Sequence, residues 1–413
     1  MGPGVNKTDR NEMMSSMRSL IQEKIDQAMT FLGETEIDCW CTFVRETSEM
    51  CDPAMRYLVG ADVVGEAAFL LARDGRAFAV LAALDKSDVE ALETYRIFPY
   101  VQSIREPLRE ALTLLDPKTI GLNFSEENYA VDGLSFGMYQ RLRTLLAGTP
   151  YAERLVSAEG LFSRVRSIKT PEELRRIRAA IAETLDLFNL WSRNFQEGWT
   201  LRRIADFLHK EMHRRGLEGS WSLSGDPGIT SGPDMIPGHG TPPDLPVLPG
   251  HVLNMDFGIR KDGYSSDLQR VWYYPSRESP EPPEDVQRAF SVVRRGIEEA
   301  AAFLRPGVRG FEVDAVARRI VTEAGYPEYA HSLGHQVGAF AHDGGALLGP
   351  RWERYGTLVE IPVEEGQVFT LEFGVQTSCG YLGQEDMVVV TSNGCAFLTP
   401  PQEDLWALAP REA

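Results

Sequence analysis

Two carboxylates stand where apolar residues would be expected. Asp256 interrupts the run Gly250-His251-Val252-Leu253-Asn254-Met255-Asp256-Phe257-Gly258-Ile259. Glu372 interrupts Gly366-Gln367-Val368-Phe369-Thr370-Leu371-Glu372-Phe373-Gly374-Val375. The two phrases match position by position at a constant offset of 116 residues. A buried carboxylate is costly unless it is paired or binds a metal. Two of them at matching positions of a repeated phrase imply a duplicated unit with one site shared between its halves.

Each phrase is followed by a second carboxylate. Asp262-Gly263 is a hairpin-turn signal. It sets Lys261 opposite Tyr264 and Asp256 opposite Gln269, with Asp267 a diagonal neighbour of Asp256. A turn at Lys261-Asp262 instead sets Asp256 directly opposite Asp267. Both registers keep the two acids on one face. In the second copy, a two-residue turn at Ser378-Cys379 sets Glu372 opposite Glu385. Four carboxylates thus converge from two hairpins, and they cannot all stay ionised in a core without cations.

Oxygen ligands favour Mn, Mg or Ca, and an added imidazole moves the choice toward Mn, Fe, Co or Zn. The imidazole is available in His331-Ser332-Leu333-Gly334-His335-Gln336-Val337-Gly338, with His342-Asp343 just beyond. Two divalent ions would balance four negative charges, hold a hydroxide as nucleophile and polarise a carbonyl.

The elements around these residues also repeat. Thr170-Pro171-Glu172-Glu173 is a helix start, with Thr as N-cap, Pro at the first position and Glu at the third. A helix follows to about Phe195. A second, over Thr200 to Arg215, places Leu201, Ile204, Phe207, Leu208 and Met212 on one face. The first hairpin comes next. The order then recurs: a helix over Asp285 to Leu304, another over Phe311 to Ala324, and the second hairpin. Helix, helix, hairpin, twice, would curve one sheet around a site. Gln196-Glu197-Gly198 and Arg305-Pro306-Gly307 occupy equivalent inter-helix turns. Arg175, Arg176 and Arg178 read as a solvated helix face.

The first ~160 residues are of a size to form a separate domain. Residues 7–32 read as an amphipathic helix. Arg56-Tyr57-Leu58-Val59-Gly60 and Ala67-Ala68-Phe69-Leu70-Leu71-Ala72, the latter followed by Asp74-Gly75, read as strands with a hairpin. Leu155 to Lys169 would connect to the following domain.

Composition fits this plan. A chain of 413 residues accommodates two domains. A net charge of −18 argues against a nucleic-acid-binding surface. No apolar run is long enough to span a membrane and no secretory signal opens the chain. Cys39, Cys41, Cys51, Cys379 and Cys395, odd in number and without a C-x-x-C pattern, favour reduced thiols and a cytoplasmic protein.

These motifs resemble the metallopeptidases of the pita-bread fold: aminopeptidase P, prolidase (Xaa-Pro dipeptidase) and methionine aminopeptidase. The resemblance rests on Asp256-Phe257-Gly258, Gly263-Tyr264-Ser265-Ser266-Asp267, His331-x-x-Gly334-His335-x-x-Gly338, His342-Asp343, Glu372-x-Gly374 and Glu385-Asp386. His239-Gly240-Thr241-Pro242-x-Asp244 is a further match. It covers about Arg164 to Thr399. It implies an α+β chain: an N-terminal creatinase/prolidase-type α/β domain over 1–163 and a duplicated pita-bread catalytic domain over 164–413. Methionine aminopeptidase lacks the N-terminal domain, so the resemblance is to prolidase and aminopeptidase P. In those relatives that domain restricts the cleft and helps form a homodimer.

By this resemblance Asp256, Asp267, His335, Glu372 and Glu385 would be metal ligands. Asp267 and Glu385 would bridge two ions, manganese first among the candidates, then Co, Zn or Fe. Asp256 would complete one shell, and His335 and Glu372 the other. Glu372 would shuttle a proton between a metal-bridging hydroxide and the leaving nitrogen. His239 and His342 would contact the substrate or the developing oxyanion, and His331 would support the fold or line the pocket. Asp386 would orient a ligand or cap a strand, and Tyr264 would terminate the turn. The implied reaction is cleavage of a small peptide between an N-terminal residue and proline.

Four positions depart from the family pattern. Proline-directed relatives commonly carry Arg where this chain has Gly383. They commonly read Glu-Pro-Gly-x-Tyr where it has Glu372-Phe373-Gly374-Val375-Gln376, and Asp-x-Thr-Arg where it has Asp267-Leu268-Gln269-Arg270. Arg270, Arg351 or Arg354 would be the replacement cation. The departures keep open a second expectation, hydrolysis of a non-peptide amide or other small C–N substrate on the same metals.

Overall fold

A computed structural model describes residues 7–238 and 240–411, with side chains described from Arg18 onward. The chain divides into two units, Met1–Arg166 and Ser167–Ala413.

The first unit opens with helix α1 (Lys7–Gly33). Leu20, Ile21, Ile25, Ala28 and Leu32 are buried along it at helical spacing. Its sheet holds β1 (Cys39–Val44), β2 (Ala67–Ala72), β3 (Ala77–Ala82), β4 (Arg96–Tyr100), β5 (Ile120–Leu122) and β6 (Leu155–Ser157), in the order β4-β3-β2-β1-β5-β6. Asp74-Gly75 turns β2 into β3 as expected, with Gly75 at φ +88°. The helices are α2 (Met55–Leu58), α3 (Lys86–Glu90), α4 (Arg105–Leu115), α5 (Phe136–Leu146) and α6 (Glu159–Ser167). Leu108 and Leu112 of α4 and Leu142 and Leu145 of α5 share a core with Phe43, Leu70 and Val80.

One expectation is corrected here. Arg56–Gly60 is no strand, because Met55–Leu58 forms α2. Asp52 starts it: its Oδ1 accepts the Ala54 amide at 2.8 Å and its carbonyl accepts the Met55 amide at 3.0 Å. Periodicity alone cannot separate so short an apolar run into helix or strand. The connector expected after Leu155 is itself structured, as β6 and α6.

The second unit begins with α7 (Pro171–Asn194), closed by the expected capping box. Thr170 Oγ1 accepts the Glu173 amide at 3.3 Å, and Glu173 Oε2 accepts the Thr170 amide at 2.8 Å. Then come α8 (Leu201–Arg215), β7 (Glu218–Gly219), β8 (Gly228–Ser231), β9 (Val252–Phe257), β10 (Ile259–Lys261), β11 (Tyr264–Ser265) and β12 (Leu268–Tyr273). The second half supplies α9 (Glu284–Phe303), α10 (Gly310–Glu323), β13 (Val368–Thr377), β14 (Gly380–Thr391), β15 (Gly394–Phe397) and β16 (Trp406–Ala407). Arg175 and Arg178 are exposed, but Arg176 is buried. It pairs with Glu172 at 2.8 Å and donates to the Asp262 carbonyl at 3.0 Å, which ties α7 to the first hairpin.

The main sheet runs β13-β14-β12-β9-β8, with β15 added to β14 and β16 to β12. The helices cover it. Phe188 and Trp191 of α7 meet Phe257 and Trp272 edge-on or tilted. Ala289, Val293 and Ile297 of α9 pack with Leu371, Phe373, Leu382 and Val388. Burying each large aliphatic or aromatic side chain contributes roughly 1.5–3 kcal/mol. The duplication is visible in the backbone. Gly250 and Gly366 both sit at φ +85°, Gly198 and Gly307 at +81° and +88°. The bridge Thr200–Pro246 is repeated as Arg309–Pro362. Among the described residues no helix is long and apolar enough to cross a membrane.

Candidate metal centre

Antiparallel pairing sets one row of residues across four strands. Asp256 on β9 faces Gln269 on β12, Gln269 also faces Glu385 on β14, and Glu385 faces Glu372 on β13. Directly opposite residues project from the same face. The first hairpin takes the Asp262-Gly263 turn, with Lys261 opposite Tyr264 and φ +50° and +79° at the turn residues. Two positive φ values are what a type I′ turn demands. The second hairpin turns at Ser378-Cys379, pairing Thr377 with Gly380. Asp267 lies just before β12, its carboxyl beside that of Asp256.

His335 is delivered by a segment running beside β13. The Glu372 amide donates to Leu333 O at 2.7 Å, Thr370 to His335 O at 2.9 Å, and Val337 to Val368 O at 3.1 Å. Gly334 is required there, since a Cβ would collide with the Thr370 carbonyl. His335 Nδ1 lies 3.1 Å from the Ala341 carbonyl, which orients the ring with Nε2 toward the acids. Nε2 is 3.3 Å from Glu372 Oε1 and 3.7 Å from Asp267 Oδ2. Asp267, His335 and Glu385 each bring a ligand atom within 4.8 Å of the others.

The electrostatics call for cations. Burial pushes the carboxyls of Asp256, Asp267 and Glu385 well above the ordinary range, and their mutual repulsion adds to it. Glu372 differs. Burial also opposes its ionisation, but the hydrogen bond and charge of His335, with His331 and His342 nearby, hold its carboxyl below the usual value. Among the described residues no lysine or arginine pairs with any of the four. Asp256 Oδ1 and Glu385 Oε2 are buried without a hydrogen-bond partner. Four carboxylates, two of their oxygens orphaned, and one oriented imidazole fit divalent cations.

His342 is exposed, its ring edge-on to His335 at 4.2 Å and 89°. His331 is half-buried, its ring 5.2 Å from that of Tyr329 and its Nδ1 2.7 Å from Ser332 O. His239 lies outside the described residues.

The four departures fall on both faces of the sheet. Phe373 points away from the acids, stacking on Tyr329 at 5.2 Å and packing against Gly296 of α9. Gln376 donates to Pro233 O at 2.9 Å. Gln269 Nε2 donates to Glu372 Oε2 at 3.2 Å, beside Gly383. None of the three arginines is a replacement cation among the acids. Arg270 is buried on the opposite face, bonding Asp386 at 2.9 Å and the Glu385 carbonyl at 2.7 Å. Arg351 pairs with Glu360, and Arg354 donates to Ala330 O. Asp386 anchors Arg270 and Arg294 and thereby fixes the strand carrying Glu385. Tyr264 does more than end a turn, for its hydroxyl donates to Glu173 Oε1 at 2.9 Å. Sequence reasoning missed the pairing of Lys169 with Asp343 and the nearness of Tyr381, whose hydroxyl is pushed up by burial and then by Glu372, Asp256 and Glu385. Nothing in local spacing signals either contact.

The chain belongs to metallopeptidase family M24, which it matches over residues 172–392. It is 31% identical over 281 residues to the Xaa-Pro dipeptidase of Lactobacillus helveticus, covering 66% of this chain and 70% of that one. It is 30% identical over 243 residues to the Xaa-Pro dipeptidase of Pyrococcus furiosus, covering 58% and 65%. The X-Pro aminopeptidase of Thermotoga maritima superposes with a TM-score of 0.70 at 22% identity, over 93% of this chain and 99% of that one. The prolidase of Pyrococcus horikoshii does so at 0.68 and 24%, over 93% and 99%. The fold is the pita-bread fold with an N-terminal domain, and the protein is a metallopeptidase, a family that implies divalent metal ions.

Proposed function

We propose that this enzyme hydrolyses the bond between an N-terminal residue and proline, as an Xaa-Pro dipeptidase or aminopeptidase, with two divalent cations held by Asp256, Asp267, His335, Glu372 and Glu385. The observation that carries the reading is the grouping of Asp267, Glu385 and His335 within reach of one ion, with Glu372 3.3 Å from the same imidazole. The activity named for the L. helveticus relative supports the substrate class. In this reading Asp256, Asp267, His335, Glu372 and Glu385 would together hold the pair, and the bound cations would supply Lewis-acid polarisation of the scissile carbonyl and acidification of the attacking water. Glu372, the acid whose charged form is favoured, accepts the proton and returns it to the leaving nitrogen. His342 donates to the developing oxyanion, and His239 and His331 position the substrate. Residues 1–163 and 164–413 are the N-terminal and catalytic domains. Manganese as the working metal, a homodimer and a cytoplasmic location complete the proposal.

A second reading keeps the fold and the cations and takes a non-peptide amide or another small C–N substrate. It is favoured by the missing side chain at Gly383, to which Gln269, Asn254 and Tyr381 lie closest. A peptide panel separates the two: an Xaa-Pro dipeptide, an Xaa-Pro-Yaa tripeptide and an Xaa-Ala control, with Mn-loaded protein. Cleavage of the dipeptide alone defines a dipeptidase, and cleavage of the tripeptide an aminopeptidase. No cleavage by metal-loaded protein excludes the first reading.

A further inference from the structure

The geometry points to Gln269 as the residue that positions Glu372, with Gly383 as the gap that admits its amide. This inference rests on the reading of that glutamate as a metal ligand.

Gln269 occupies the middle of the row, opposite Asp256 on one side and Glu385 on the other. It is buried, with 8% of its surface exposed. Its Nε2 donates to Glu372 Oε2 at 3.2 Å. The bond to Oε2 leaves Glu372 Oε1 facing His335 Nε2 at 3.3 Å. Gln269 thus fixes which oxygen turns toward the centre. A neutral donor does this without competing electrostatically with a cation, as a lysine or arginine would. Ligating carboxylates depend on such outer partners for their orientation.

Gly383 makes the arrangement possible. A Cβ there would lie 2.7 Å from Gln269 Oε1, 2.8 Å from Tyr381 Cε1 and 3.3 Å from Asn254 Nδ2. Asn254 Nδ2 also donates to the Gly383 carbonyl at 3.0 Å, which holds the backbone in place. Gly383 is not among the glycines with positive φ. Its missing side chain therefore serves space, not backbone conformation. The two departures at Gln269 and Gly383 form one coupled device.

Calorimetric titration of metal-free protein with Mn2+ tests the inference. Gln269→Met keeps the volume and removes the amide. It weakens Mn2+ binding by roughly 10- to 100-fold, lowers kcat more than it changes KM, and leaves thermal unfolding of the metal-free protein in place. Gly383→Ala displaces the amide and weakens binding in the same direction. In a Gln269→Ala background, Gly383→Ala adds no further loss. Unchanged affinity in both single variants, with wild type binding Mn2+ normally, overturns this inference alone. A wild-type protein that binds no Mn2+ overturns it together with the metal reading.

Discussion

Lys169 Nζ lies 2.8 Å from Asp343 Oδ2, and both side chains are fully buried. The pair joins the residue before the Thr170 cap to the residue after His342. Gly338 packs against it so closely that a Cβ would lie 2.7 Å from Lys169 Nζ and collide with Asp343. The Asp343 amide donates to Gln336 O at 2.8 Å, and Gly338 O accepts from the Ser265 amide at 2.8 Å. The loop bearing His342 is thereby pinned to the segment bearing His335 and to the first hairpin. Removing one partner of a buried ion pair typically costs about 3–5 kcal/mol. Lys169→Met is expected to lower the unfolding midpoint accordingly and to reduce kcat with the metal count unchanged. A variant of wild-type stability and kcat contradicts this role.

The two histidines near the acids separate by test. His335→Ala removes an imidazole within 3.3 Å of Glu372 and is expected to lose metal and activity together. His342→Ala is expected to keep the metals and lower kcat by roughly 10²–10⁴, the range for a positioned proton donor. Metal analysis and steady-state kinetics on the same preparations decide. Equal metal loss in both variants would make His342 a ligand.

Asp52 in the first unit gives a pH signature. It is buried, accepts from Asn123 Nδ2 at 2.9 Å, and burial pushes its carboxyl up from 3.8 to about 6. A folded-state value above the unfolded one means the folded protein holds the proton more tightly. The stabilisation is full below 3.8 and is lost as pH rises through about 6. At 1.36 kcal/mol per unit, the loss is on the order of 3 kcal/mol. Asp52→Asn cannot ionise, so its urea midpoint between pH 4 and 7.5 should fall less than that of wild type. Parallel pH profiles would contradict the assignment.

The repeat, the four helices, both turns and the row of acids were legible because each is written in local spacing. Thr170 with Glu173 announces its helix, and Asp262-Gly263 announces its hairpin and so the partner of Asp256. The same turn already placed Gln269 opposite Asp256. What it could not show was the second neighbour, Glu385, which comes from strand order (β14 beside β12). The role of Arg176 was lost for the same reason, since its carbonyl partner at Asp262 is 86 residues away. Met55–Leu58 failed differently: four residues are too few for either period, and the Asp52 carboxylate decided the outcome.

The central claim is that Asp256, Asp267, His335, Glu372 and Glu385 hold two divalent cations on which turnover depends. Its most direct test is the metal content and Xaa-Pro cleavage of wild type, Asp267→Ala and Glu385→Ala after loading with Mn2+. The account predicts two ions per chain and cleavage in wild type, and loss of both in each variant. A variant that stays fully active without bound metal would contradict it.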